Sequence, residues 1–132
     1  MDSRRIIHLL SRTRDRIQKH FQHEIDGLKV GKIAPAHGSV LYALMDGPKA
    51  MQDLARLIER DTSTVTALAD KLEKVGLAQR TVAPHDTRSY FMALTPKGKI
   101  AARKVIGASR GVVTRIFKGF SAAEREEFTR LL

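Results

Sequence analysis

Asp61-Thr62-Ser63-Thr64-Val65-Thr66-Ala67-Leu68-Ala69-Asp70-Lys71-Leu72-Glu73-Lys74-Val75-Gly76 is the stretch on which the fold turns. The Asp61 carboxylate can accept from the first free amides of a helix. Gly76 has no Cβ to oppose a left-handed helix end. The spacing predicts a helix from Thr62 to Val75. Val65, Leu68, Leu72 and Val75 recur at steps of three and four and form its inward face. Ser63, Thr66, Ala67, Asp70, Lys71 and Lys74 fall on or near the opposite face. That outward face is short, polar and cationic, with no large apolar side chain.

Downstream the texture changes. Leu77 to Val82 has strand character, 83–88 is turn chemistry, and Ser89 to Leu94 is rich in strand formers. Two strands around a basic turn make a hairpin. Thr95 then caps a helix over about 96–118, with Pro96 in its first turn and Ile100, Val105, Ala108, Val112 and Ile116 inward. Ser121 and Glu124 form a capping box for a last helix carrying Phe128, Leu131 and Leu132.

Upstream, Met51 to Ile58 reads as a short helix, and the Asp46-Gly47-Pro48 break separates it from another. That one opens at Pro35 and carries Val40, Leu41, Leu44 and Met45. The first segment, about 3–29, is a long helix. Ile6, Leu10, Ile17, Phe21, Ile25 and Leu28 line one stripe of it. A helix of that length with a single apolar stripe suits a subunit interface.

The chain has 132 residues, within the range of one domain, and 42% of them are hydrophobic. A single domain over 1–132 is expected. The formal charge is +10, and Lys71 to Lys118 holds eleven Lys and Arg against Glu73 and Asp86. Such a surplus favours phosphate-bearing partners, although a basic solvated surface gives the same count. There is no cysteine, which excludes disulfides, thiolate zinc sites and thiol redox sensing. The longest apolar run is Val40 to Met45, far short of a membrane span. The basic amphipathic run from Arg4 to Lys19 is like a transit peptide, but Asp2 and Asp15 argue against one. The expected compartment is the cytoplasm. No phosphate-binding glycine loop, His-Glu-x-x-His or Gly-x-Ser-x-Gly occurs, and no paired acids suggest acid–base work, so no enzyme is expected.

The fold class read from this order is mainly α with a small β-hairpin. The helices at 51–58 and 62–75 make a helix-turn-helix, and the hairpin after it makes a wing. With these elements the sequence resembles the MarR family of bacterial winged helix-turn-helix transcription regulators. The resemblance is carried by Asp61 to Arg80 and by the wing, where Asp86-Thr87-Arg88 and Leu94-Thr95-Pro96-Lys97-Gly98 are the most specific elements. It implies a homodimer on a pseudo-palindromic DNA operator, most often as a repressor. Segments 1–34 and 96–132 would hold the dimerisation helices, and 35–95 the DNA-binding lobe. Ser63, Thr64 and Thr66 would reach base edges or phosphates in the major groove, and Lys71 and Lys74 the backbone. Arg88 would enter the minor groove, held by Asp86, and Arg80 would touch phosphate. Ala67 departs from the longer side chain common in the family and offers only a methyl contact. Asp70 is expected to pair with Lys74 at i+4.

The family resemblance also implies a small anionic or phenolic effector in the cleft between the dimerisation helices and the DNA lobe. Arg16, His37 and Tyr42 could line it, but nothing in their spacing demands that, and ordinary packing and surface is the favoured reading of the three. His20 and Glu24 with His23 are a possible start for a metal site, but no second cluster completes it, so neither metal nor cofactor is expected. The alternative reading is a winged helix used for nonspecific basic DNA binding or for protein contact, without an effector.

Overall fold

The computed structural model describes residues 2–83 and 85–132, with the side chains of residues 86–88 outside that description. Helices dominate, in the order α1 (Ser3–Gly27), α2 (Pro35–Ala43), α3 (Met51–Ile58), α4 (Thr62–Lys74), α5 (Pro96–Ile116) and α6 (Ala122–Leu131). Three strands form one small antiparallel sheet. They are β1 (Lys49–Ala50), β2 (Ala78–Ala83) and β3 (Asp86–Leu94), and β3 lies in the middle.

Local chemistry sets the helix ends. Asp2 accepts from the Arg4 amide, Asp61 from Thr64, Thr95 from Gly98 and Ser121 from Glu124. Glu124 closes the capping box by accepting from the Ser121 amide at 2.9 Å. Gly76 has φ +80°, as the end of α4 requires. Glu59 adopts the left-handed conformation at the end of α3, which lets the chain turn within three residues into α4.

The core gathers one face of every helix except α6. Ile25 of α1, Val40 and Leu41 of α2, Leu54 of α3, and Val65 and Leu72 of α4 are fully buried, with Leu44, Leu77 and Met92. Small residues on α5 (Gly98, Ala101 and Ala102) let its backbone come close to the neighbouring elements. At Gly98 the approach is extreme. A Cβ there would lie 1.8 Å from the Leu77 carbonyl oxygen. Thr95 strengthens the same junction by donating from its hydroxyl to the Gly76 carbonyl at 2.7 Å.

Several expected boundaries shift. The first two helices stop at Gly27 and Ala43, and α5 stops at Ile116. β3 begins at Asp86, because backbone pairing continues through residues whose side chains read as turn formers. β1 has no counterpart in the sequence reading, since two residues carry no alternation. Ile100 is exposed rather than inward, its place at the core taken by Ala101 and Ala102.

The first half of α1 stands clear of this core. Residues 2–16 are all exposed, Ile6, Ile7, Leu9 and Leu10 among them. At the other end, Phe117, Phe120 and Phe128 stack edge to face at 5.2 to 5.9 Å and tie α6 to the end of α5. Leu131 and Leu132 remain exposed.

Candidate nucleic-acid interface

Asp61 organises the start of α4. Its carboxylate accepts from the Ser63 hydroxyl and from the Thr64 amide, both at 2.7 Å. The Ser63 hydroxyl, followed by the Thr64 amide, lowers its pKa to about 2, so this end of the helix carries a fixed anion. The Thr66 hydroxyl donates to the Thr62 carbonyl at 2.8 Å. Ser63 and Thr66 therefore use their hydroxyl protons locally and keep lone pairs as acceptors, and a hydroxyl can rotate when a better acceptor arrives.

Ser63, Ala67, Asp70 and Lys74 are exposed along α4, while Thr64, Thr66 and Lys71 are half-buried. Lys71 sits toward the start of α2, where its charge acts on His37. Val65, Ala69 and Leu72 form the fully buried stripe, flanked by Leu68 and Val75. Ala69 joins that stripe although its small side chain gave no signal in the sequence.

Asp70 does not pair with Lys74. Its carboxylate accepts from the Arg80 guanidinium at 2.9 Å, and Glu73 faces the same group at 3.8 Å. The Arg80 guanidinium also lies over the Tyr90 ring at 4.7 Å. A planar fork arriving from the adjacent strand meets Asp70 in a better geometry than a lysine on the same helix. Arg80 thus joins β2, β3 and α4 at one point. Asp86 and Arg88 belong to β3 through their backbone, and their expected side-chain pairing lies outside the described residues.

A cavity of about 1090 Å³ lies between α1, α2, α3 and α5. Its walls are mostly apolar, with Ile17, Phe21, Leu57 and Val105 among them, and Tyr42 adds a hydroxyl. Of the three expected effector residues only Tyr42 lines this cavity. Arg16 borders a separate hollow of about 330 Å³ along α1. His37 serves the helix instead, its Nδ1 accepting from the Ala34 amide at 2.8 Å. Lys49, Asp46 and Arg110 are the charged residues on the cavity wall, and sequence spacing did not single them out.

His20 faces Glu24 at 3.9 Å. Among the described residues no group of three His, Cys, Asp or Glu is placed to hold a metal ion. Among the same residues no helix is long and apolar enough to cross a membrane.

Known proteins match this architecture. A family model described as MarR family matches residues 32–89. The HTH-type transcriptional regulator YkoM of Bacillus subtilis (strain 168) is 30% identical over 112 residues, covering 84% of this chain and 73% of that protein. Bordetella bronchiseptica BpsR, whose DNA binding is regulated by 6-hydroxynicotinic acid, superimposes with a TM-score of 0.81 at 27% identity, over 96% of this chain and 95% of BpsR. The transcriptional repressor CouR, solved on a 23-mer DNA duplex, gives 0.81 at 26% identity, over 93% of this chain and 86% of CouR.

Proposed function

The chain belongs to the MarR family of transcriptional regulators, and from that premise we propose that it is a homodimeric, sequence-specific binder of double-stranded DNA that represses transcription until a small anionic or phenolic effector releases it. One observation carries the reading. α4 is capped, buried along Val65, Ala69 and Leu72, and exposed along Ser63, Ala67 and Lys74 beside the antiparallel ribbon of β2 and β3. A helix of this form fits the major groove, and the ribbon reaches the groove next to it.

The roles follow from position. Ser63, Thr64 and Thr66 offer hydroxyls to base edges or phosphates, and Ala67 a methyl group. Lys71 and Lys74 supply charge to the backbone. Arg88, with Asp86 beside it in sequence, is assigned to the minor groove. Segments 1–34 and 96–132 pair the two subunits, using Leu9 and Leu10 of α1 and Leu131 and Leu132 at the end of α6. Two-fold pairing sets the recognition helices roughly 34–36 Å apart, one turn of DNA. The cavity between α1, α2, α3 and α5 takes the effector, which shifts the lobes relative to the dimer helices. CouR on its duplex and BpsR with its regulator support carrying these partners over.

Hydroxyl-radical footprinting tests the dimeric reading. The expected pattern is two equivalent protected patches, centred about one helical turn apart. One short protected patch, or uniform weak protection along any duplex, contradicts it.

A further inference from the structure

Lys49 reaches the mostly apolar cavity from β1, with a side chain only 19% exposed. Its ammonium donates to the carboxylate of Asp46, which lines the same cavity and is 80% exposed. Arg110 is the remaining charged residue of the wall, so the lining holds two cations and one acid. An ammonium drawn away from water at an apolar wall needs a counter-anion. Asp46 supplies it, but an ion pair with one partner in solvent is weak and exchanges readily.

We propose that Lys49 is the anion-receiving, specificity-determining residue of this cavity, and that Asp46 is its built-in placeholder. This rests on the effector reading above and deepens it. The carboxylate or phenolate of an effector replaces the Asp46 carboxylate on the Lys49 ammonium, while its apolar body lies against Phe21, Leu57 and Val105. No proton moves, and one ion pair is exchanged for another. Asp46 returns to water at little cost because it is already mostly there.

Lys49 also occupies the place where such an exchange is felt by the DNA lobe. It pairs with Met92 of the wing strand β3, and Ala50, which pairs with Phe91, leads directly into α3. Leu57 and Ile58 of α3 line the same cavity. A ligand held by Lys49 therefore bears on the junction of the sheet with the first helix of the helix-turn-helix.

Calorimetric titration of the full chain with benzoate and with its neutral analogue benzamide tests this, at fixed pH and salt. Benzoate should bind the wild type more tightly than benzamide. Lys49→Gln should weaken benzoate about tenfold, the loss expected of one charge-assisted hydrogen bond. Benzamide should stay within about twofold of its wild-type affinity, by the same scale. Asp46→Asn should strengthen benzoate, and Lys49→Arg should restore most of its binding. Lys49→Met serves as a second removal of charge should the glutamine variant misfold. If benzoate binds but ignores both Lys49 and Asp46, this proposal falls and the effector cavity stands. If neither probe binds the wild type, the cavity reading and the proposal fall together.

Discussion

The Arg80 guanidinium on β2 donates to the Asp70 carboxylate on α4 at 2.9 Å, joining the wing to that helix across ten residues of sequence. Arg80 is therefore partly neutralised on the surface proposed to meet DNA. Asp70→Asn should release its charge to a phosphate. The salt dependence of DNA binding should then steepen by about one unit on a log–log plot. An unchanged slope would mean that Arg80 stays on the protein when Asp70 is neutral.

Lys74 is the exposed cation of α4 that no neighbouring acid engages in the described contacts. Lys74→Gln should weaken binding to all duplexes alike and flatten the salt slope by about one unit. Arg88→Ala should instead cost about 1–3 kcal/mol, because a groove contact is lost. Equal operator affinity for Arg88→Ala and the wild type in moderate salt would remove Arg88 from the interface.

Gly98 packs its backbone on Leu77 with no room for a methyl group. Gly98→Ala must push α5 away from the junction of α4 with β2. Urea unfolding should show a loss of about 3 kcal/mol, the upper end for overpacking a core. A loss below about 0.5 kcal/mol, the usual range for a surface change, would show that the junction yields.

His37 makes stability depend on pH. Burial, and then the charge of Lys71, hold its pKa below the ordinary 6.5. The neutral ring is also the form whose Nδ1 accepts from Ala34. The unfolded chain thus binds the proton more readily than the native one. The contribution is fully present above pH 6.5 and is lost as pH falls through the lower native value. Urea unfolding at about pH 7.5 and about pH 5 should show more acid loss in the wild type than in His37→Gln. Equal losses would contradict this sign.

Leu10 is 65% exposed on the free half of α1. Leu10→Glu should dissociate the dimer in sedimentation experiments, with the helical content retained. A wild type that sediments as a monomer at micromolar concentration would overturn the two-fold arrangement.

Much of this fold is legible in the residues because local chemistry and tertiary packing agree. Asp61 and Gly76 mark the two ends of α4, and Thr95 with Pro96 marks the start of α5. What escapes sequence reading depends on distant partners. Asp70 prefers Arg80 over Lys74 only because β2 returns beside α4. Ala101 and Ala102 lie at the core and Ile100 does not, on a helix whose start Gly98 brings close to Leu77. His37 reads as a ligand for a cleft, yet its ring caps α2, while Lys49 enters the cavity from a strand of two residues.

Fluorescence anisotropy reads operator-specific DNA binding without an intermediate step. The DNA upstream of the chain's own gene would be compared with a scrambled duplex of equal length, at two salt concentrations. Tighter binding to the upstream duplex is expected, with steep salt dependence on both. Equal affinity for the two duplexes, or no binding by the folded protein, would contradict it.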